Sequence, residues 1–178
     1  MTDSVVRGLP AQVNADCRVL LLGSMPGIAS LQAARYYAHP RNRFWPVMAT
    51  LGGFDPRQPY PQRLAALQEC GAGLWDVIGQ CQRRGSLDSA IVRGSEVANP
   101  LPALIAGLPQ LRGIACNGAS AAAAFKRFVQ PLLCAHAQRL PVLALPSTSP
   151  ANAAWSLPRL LQEWRRLEPW LAQQHVRR

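Results

Sequence analysis

The sequence predicts an α/β protein built around a parallel β-sheet. Short apolar runs recur along the chain, and the segments between them have the periodicity of amphipathic helices. Continuous apolar runs are typical of strands buried on both faces, and intervening helices are the connections that parallel strands require. The predicted strands cover residues 18–22, 74–78, 113–117 and 141–145.

Helices are predicted between and after these strands. Four of them cover residues 44–51, 61–70, 101–108 and 120–129. The last helix follows Ser156, a residue suited to capping a helix N-terminus, and its apolar side chains recur at helical spacing. These side chains are Leu157, Leu160, Leu161, Trp164 and Leu167. The stripe predicts core packing rather than a functional face.

Length and composition favour a single globular domain over residues 1–178. The 178 residues are 49% hydrophobic, which is enough to bury a substantial core. No apolar run reaches the length of a membrane-spanning helix, and the N-terminal segment lacks the apolar centre of a signal peptide, so no membrane contact is expected. The cysteines form no close pair, which favours reduced thiols in the cytoplasm. We expect a monomer.

The charge balance favours a polyanionic partner. The chain has 19 basic and 9 acidic residues, a formal net charge of +10, and such an excess suits DNA. The alternative is an arginine-rich but merely solvated surface. The cysteines and histidines are not spaced as metal ligands, and both glycine-rich nucleotide-binding motifs are absent, so neither a metal nor a cofactor is expected. A G-x-S-x-G elbow is also absent, which disfavours a serine hydrolase.

Ligands of parallel α/β sheets bind beyond the carboxyl ends of the strands, so the segments that follow the strands are the candidate site. Residues 23–27, with the sequence GSMPG, form a tight turn whose backbone can approach a ligand. The alternative is an ordinary strand-to-loop turn. Residues 36–45, with the sequence YYAHPRNRFW, combine rings that can sandwich a base with arginines that can bind phosphate. The alternative there is an aromatic mini-core with solvated arginines.

These two segments, together with LPSTSPANA at residues 145–153, resemble the uracil-DNA glycosylase superfamily, specifically its deoxyinosine (hypoxanthine) DNA glycosylase branch. The AHPRNRFW portion also resembles the mismatch-specific uracil glycosylases. The resemblance implies a three-layer αβα sandwich with a central four-stranded parallel sheet. It implies a monofunctional glycosylase that flips and hydrolytically excises a deaminated base, with hypoxanthine first and uracil opposite guanine second. A non-catalytic module that only binds damaged DNA is the alternative.

The resemblance also assigns catalytic roles, and both usual catalytic groups are replaced. Met25 stands where the superfamily commonly has a water-activating aspartate or asparagine, and Ser147 stands where many members have histidine. In the branch that this chain resembles, the catalytic role falls to the asparagine at position 42, which we expect to position water. Its alternative role is to cap the helix that begins near Arg43 or Phe44. The ring of Phe44 is expected to stack on the extruded base, with core packing as its alternative.

Asp76 is the acidic residue at a predicted strand end, near the place where relatives keep an asparagine that reads the base edge. Its carboxylate could accept a hydrogen bond from a base N–H, align water or pair with an arginine. Ala151 and Asn152 lie where a wedge would enter the duplex. The predicted catalytic residues are Asn42 and Asp76. The predicted base-binding residues are Gly23, Ser24, Met25, Pro26, Gly27, Phe44 and Asn117. The predicted DNA-binding residues are His39, Arg41, Arg43, Ser147, Thr148, Ser149, Ala151 and Asn152.

Overall fold

The computed structural model of the protein describes residues 5–172. Residues 1–4 and 173–178 of the predicted domain lie outside this part. The strands are β1 (Val5–Arg7), β2 (Val19–Gly23), β3 (Ala72–Asp76), β4 (Ile78–Gln82), β5 (Val97–Ala98), β6 (Gly113–Asn117) and β7 (Val142–Leu145). The α-helices are α1 (Ile28–Ala33), α2 (Phe44–Gly52), α3 (Tyr60–Glu69), α4 (Leu101–Ala106), α5 (Ala119–Phe128) and α6 (Leu157–Trp164).

The central sheet has four parallel strands in the order β3-β2-β6-β7. Strand β2 is buried along its whole length, as expected for a central strand that both layers of helices cover. Its register places Gly23 opposite Asp76 of β3. The carboxyl ends of these strands therefore meet at one edge of the sheet.

Helices cover both faces of the sheet. One face packs against α4 and α5 through residues such as Leu101 and Phe125. The other packs against α2, α3 and α6 through residues such as Phe44, Leu67 and Trp164. The predicted three-layer α/β fold with a four-stranded parallel sheet is thus confirmed.

The predicted strand at residues 74–78 is wrong in its bounds. Strand β3 ends at Asp76, and β4 begins at Ile78 in a second, antiparallel sheet of order β1-β4-β5. The backbone N–H of Val77 between them donates to the carbonyl of Gly23 at 2.9 Å. The apolar run continues across both strands, so hydrophobicity alone does not mark the point where the chain changes sheets. This change of direction holds Asp76 at the edge of the central sheet.

No helix within the described range has both the length and the apolar character needed to cross a membrane.

Candidate active site

A cavity of about 1020 Å³ opens at the carboxyl edge of the central sheet. The structure brings the predicted segments together around it: the turn at residues 23–27, the segment before α2, the end of β3, the end of β6 and the turn at 147–152. Most predicted site residues line this cavity. They are Gly23, Ser24, Met25, Pro26, Gly27, His39, Asn42, Asp76, Asn117, Ser147, Thr148, Ser149, Ala151 and Asn152.

The side-chain amide of Asn42 is held in one orientation. Its Oδ1 accepts hydrogen bonds from the backbone N–H of Phe44 and from Oγ1 of Thr148, each at 2.9 Å. The first bond caps the start of α2, which is the alternative role considered for Asn42. Capping accounts for this bond but not for the bond from Thr148. Both lone pairs of a carbonyl oxygen are then used. What Asn42 can offer a ligand in the cavity is its Nδ2 amino group, which only donates.

Thr148 joins the end of β6 to this amide. Its backbone N–H donates to Oδ1 of Asn117 at 3.0 Å, and Nδ2 of Asn117 donates back to Oγ1 of Thr148 at 2.9 Å. Its carbonyl accepts from the backbone N–H of Arg43 at 3.0 Å. We had predicted that Thr148 contacts DNA; this is corrected, because the residue is fully buried and its hydroxyl is engaged by two side chains. Asn117 and Thr148 together orient Asn42.

The packing of Phe44 disagrees with the base-stacking role predicted for it. The ring of Phe44 is fully buried and packs edge-on against Trp45 and Trp164, at centroid distances of 5.2 and 6.0 Å. Tyr37 stacks on it at 4.0 Å with an interplanar angle of 18°, and Tyr37 lines the cavity whereas Phe44 does not. Tyr37 has a φ of 54°, in the left-handed region that a bulky residue rarely adopts. Strain of this kind is concentrated at functional sites.

Two polar atoms of the wall are buried with no hydrogen-bond partner in the described part of the chain: Oδ2 of Asp76 and the hydroxyl of Tyr37. They lie close together, because a Cβ on residue 23 would collide with the carboxyl of Asp76 and come within 3.3 Å of that hydroxyl. Glycine at position 23 therefore leaves room for the carboxyl group. Buried polar groups without partners are rare, and a bound polar ligand would satisfy the free oxygen of Asp76.

The carboxyl group of Asp76 is a weak acid in this environment. Burial raises its pKa to about 7, the negative charge of Asp88 adds to the increase, and Arg83 opposes it. None of the ion pairs within residues 5–172 involves Asp76, so the arginine pairing considered for it is not formed there. Near neutral pH the group is present both as an acid and as a carboxylate, and it can donate or accept a hydrogen bond.

A loop at residues 83–91 completes one wall, and sequence reasoning missed it. Oγ of Ser24 donates to Oδ2 of Asp88 at 2.5 Å, and the backbone N–H of Ile28 donates to Oγ of Ser86 at 2.9 Å. The guanidinium of Arg83 is fully buried and donates to the carbonyl of Pro26. The only sequence signal was a polar run just after an apolar one, which is typical of any surface turn.

The phosphate contact predicted for Arg43 is also corrected. Its guanidinium donates to the carbonyls of Ser149, Asn152 and Trp155, the first two at 2.9 and 3.0 Å. It therefore supports the turn that follows β7. Arg41, in contrast, is exposed, with its backbone N–H bonded to Nδ1 of His39 at 3.1 Å. Arg41 and His39 remain predicted DNA contacts.

Comparison with known proteins agrees with this geometry. The model of the uracil DNA glycosylase superfamily matches residues 10–172. The chain belongs to this superfamily. As a member it is a DNA glycosylase, and its substrate is DNA, as the sequence predicted.

Similar proteins include two from Methanosarcina species. A hypoxanthine DNA glycosylase of Methanosarcina acetivorans is 35% identical over 153 residues, covering 85% of this chain and 91% of that protein. A hypoxanthine DNA glycosylase of Methanosarcina barkeri is 34% identical over 113 residues, covering 63% and 70% respectively. A solution NMR structure from Methanosarcina acetivorans, of a protein proposed to be a uracil DNA glycosylase, superimposes with a TM-score of 0.78 at 30% identity. The match covers 94% of this chain and 99% of that one.

Proposed function

We propose that this DNA glycosylase releases hypoxanthine from deoxyinosine in DNA by hydrolysis. The observation that carries the proposal is the buried carboxyl oxygen Oδ2 of Asp76, which has no hydrogen-bond partner in the described part of the chain and lines the same cavity as an Asn42 amide whose free group can only donate. The relatives named as hypoxanthine DNA glycosylases support the same substrate.

The edge of hypoxanthine matches these groups. The base presents a carbonyl oxygen, O6, next to a ring donor, N1–H. The amino group of Asn42 donates to O6, and the ionised carboxyl of Asp76 accepts from N1–H, while the ring stacks on Tyr37. Adenine has the reverse pattern, an amino group next to a nitrogen lone pair, and would leave donor facing donor and acceptor facing acceptor. Uracil shares the carbonyl and N–H pattern and is the second candidate.

Bond breakage in this site depends on stabilising the departing base. The bond between C1′ and N9 breaks, its electron pair moves onto the base, and negative charge develops at O6. A hydrogen bond donated by Asn42 strengthens as that charge grows, which lowers the barrier. Water then adds to the oxocarbenium-like sugar at C1′ and loses a proton to solvent. Neither Met25 nor Ser147 supplies a general base, so the reaction relies on leaving-group stabilisation.

The product is an abasic site in an unbroken strand. A glycosylase that also cleaves the strand needs an amine that forms a Schiff base with the sugar. The only lysine of the chain, Lys126, lies on the exposed side of α5 and does not line the cavity. Strand breaks should therefore appear only after alkali treatment.

The test uses oligonucleotides with one deoxyinosine, deoxyuridine, deoxyxanthosine or deoxyadenosine, incubated with the wild type, Asn42→Ala and Asn14→Ala. We expect hypoxanthine release by the wild type and a decrease of about 100-fold or more in Asn42→Ala, the usual effect of removing one such donor. Asn14→Ala removes an exposed asparagine outside the cavity and should behave as wild type. No release of any base by the wild type would refute the proposal, and full activity of Asn42→Ala would refute the role of Asn42.

A further inference from the structure

A nucleotide that leaves a duplex opens a gap as large as a base, and proteins that distort DNA commonly fill such gaps with apolar side chains. The turn after β7 is poorly equipped for this. Ala151, at its exposed tip, carries a single methyl group. The amide of Asn152 is engaged, because its Nδ2 donates to the carbonyl of Ser147 at 2.9 Å. The bulky ring of this segment, Trp155, also lines the cavity, but it is half-buried and packs under the guanidinium of Arg159, 3.9 Å from the ring centroid.

The loop at residues 83–91 does offer such a group. Leu87 lines the cavity and is 57% exposed. Ile28, which is 43% exposed, lies at the start of α1 next to the same loop, where its backbone N–H is bonded to Ser86. A large apolar side chain thus stands at the mouth of the cavity, on a different segment from the turn after β7.

The backbone on each side of Leu87 is anchored to the first turn of the site. Ser86 accepts from Ile28, and Asp88 accepts from Ser24. The buried guanidinium of Arg83 lies under the loop, with Nη1 3.4 Å from the carbonyl of Ser86 and 4.0 Å from Oδ1 of Asp88. Burial of an arginine is unfavourable unless its charge and its donors are matched. The buried side chain of Arg83 therefore supports the loop at a cost in free energy. These contacts fix the backbone around Leu87, whose side chain remains exposed to solvent.

We propose that Leu87 is the side chain that enters the duplex and occupies the space of the extruded nucleotide. The inference rests on the proposed glycosylase function and adds a residue to it. Insertion of Leu87 prevents the extruded base from returning to the stack, and it buries an exposed leucine against the neighbouring base pairs. Single-stranded DNA has no opposite strand and no paired gap to keep open, so Leu87 should matter mainly for duplex substrates.

The experiment compares Leu87→Ala, Leu87→Met and Leu132→Ala on one deoxyinosine oligonucleotide, both single-stranded and paired. In Leu87→Ala we expect the ratio of duplex to single-strand excision to fall about tenfold, the equivalent of losing one buried leucine contact. Leu87→Met keeps the apolar bulk and should retain the ratio. Leu132 is 69% exposed and does not line the cavity, so Leu132→Ala is the matched control. Fluorescence of 2-aminopurine next to the deoxyinosine measures unstacking without requiring excision, and Leu87→Ala should diminish its increase on binding.

The outcomes separate the two proposals. If the wild type releases no base from either substrate, the proposed function fails, while the fluorescence still tests whether Leu87 opens the stack. If the wild type is active and Leu87→Ala keeps the wild-type ratio and fluorescence, the inference about Leu87 is wrong. An equal loss on single-stranded and paired DNA would also overturn it, because that result indicates a role in shaping the cavity.

Discussion

Replacing Asn42 by aspartate distinguishes a hydrogen-bond donor from a water-positioning acceptor. The substitution preserves the shape of the side chain and keeps an oxygen to accept from Phe44 and from Thr148. The single chemical change is at Nδ2, where an amino group becomes a carboxylate oxygen. If Asn42 holds the attacking water through an acceptor, aspartate should serve as well or better, because a carboxylate is the stronger base.

The structure leads to the opposite expectation. Both hydrogen bonds to Oδ1 survive in Asn42→Asp, so the free energy of unfolding should change little. The group that faces the cavity changes from a donor to an anion opposite the carbonyl of the base. Loss of one donor to a developing negative charge reduces the rate about 100- to 1000-fold, and the repulsion between two oxygens adds to this loss. We therefore expect Asn42→Asp to be at least as slow as Asn42→Ala.

Single-turnover excision of deoxyinosine, measured from pH 5 to 9, provides the assay. Titration of Asp76 affects the wild type and the variant alike, so the informative quantity is the rate of Asn42→Asp divided by the wild-type rate at the same pH. A protonated aspartic acid can donate from its hydroxyl, so this ratio should increase as the pH decreases. A general base would produce the opposite slope. Wild-type rates in Asn42→Asp, or a ratio that rises with pH, would refute the donor role.

Substitutions at five other positions test the remaining contacts. Thr148→Val removes the hydroxyl that orients the amide of Asn42 and should lower the single-turnover rate about tenfold, because a buried donor or acceptor left unpaired costs about 1–3 kcal/mol. Thr148→Ser keeps the hydroxyl and should restore the rate. Failure of serine to restore the rate would indicate a packing role. Asp76→Asn should stabilise the protein relative to the wild type, and the gain should grow as the pH rises from about 4 to above 7. The reason is that Asp76 has a pKa of about 7 in the folded wild type but near 3.8 in the unfolded chain, so ionisation in this range favours unfolding of the wild type. The difference corresponds to at most about 4 kcal/mol, and urea unfolding at pH 5 and pH 8 with no divergence would contradict it. Arg43→Ala should accelerate hydrogen exchange in the turn after β7 and leave the salt dependence of DNA binding unchanged, whereas a phosphate ligand would reduce that slope by about 1. Tyr37→Leu should weaken substrate binding by about 1–3 kcal/mol, the value of one stacked base. Phe44→Leu should mainly lower the melting temperature. The reverse pattern would restore the stacking role to Phe44.

The sequence predicted the central sheet well because each of its strands is an apolar run buried on both faces. The failure at residues 74–78 has the same origin. Leu74, Val77 and Ile78 are all buried, but they belong to two sheets joined by a change of direction at Asp76. Hydrophobicity records burial and not the partner strand, so the small antiparallel sheet could not be predicted from it.

The sequence also located most of the cavity wall, because the ends of parallel strands converge whatever their side chains are. It could not decide which side chains face the cavity. Tyr37 and Phe44 are both aromatic and close in sequence, and only the packing of Trp164 against one of them shows which is core. Arg43 has the charge of a phosphate ligand, but its partners are carbonyls more than 100 residues away in the chain. Such roles depend on tertiary contacts that no local pattern records.

Met25 and Ser147 together explain why the amide of Asn42 needs so much support. In the pattern that this chain resembles, an aspartate or asparagine activates water and, in many members, a histidine stabilises the departing base. Here both are replaced, so in the mechanism that we propose the stabilisation of the departing base depends on a single neutral donor. A neutral donor is effective only when its orientation is set before the reaction begins. The hydrogen bonds from Thr148 and Phe44 set that orientation, and the pairing of Thr148 with Asn117 keeps it in place when the base is bound.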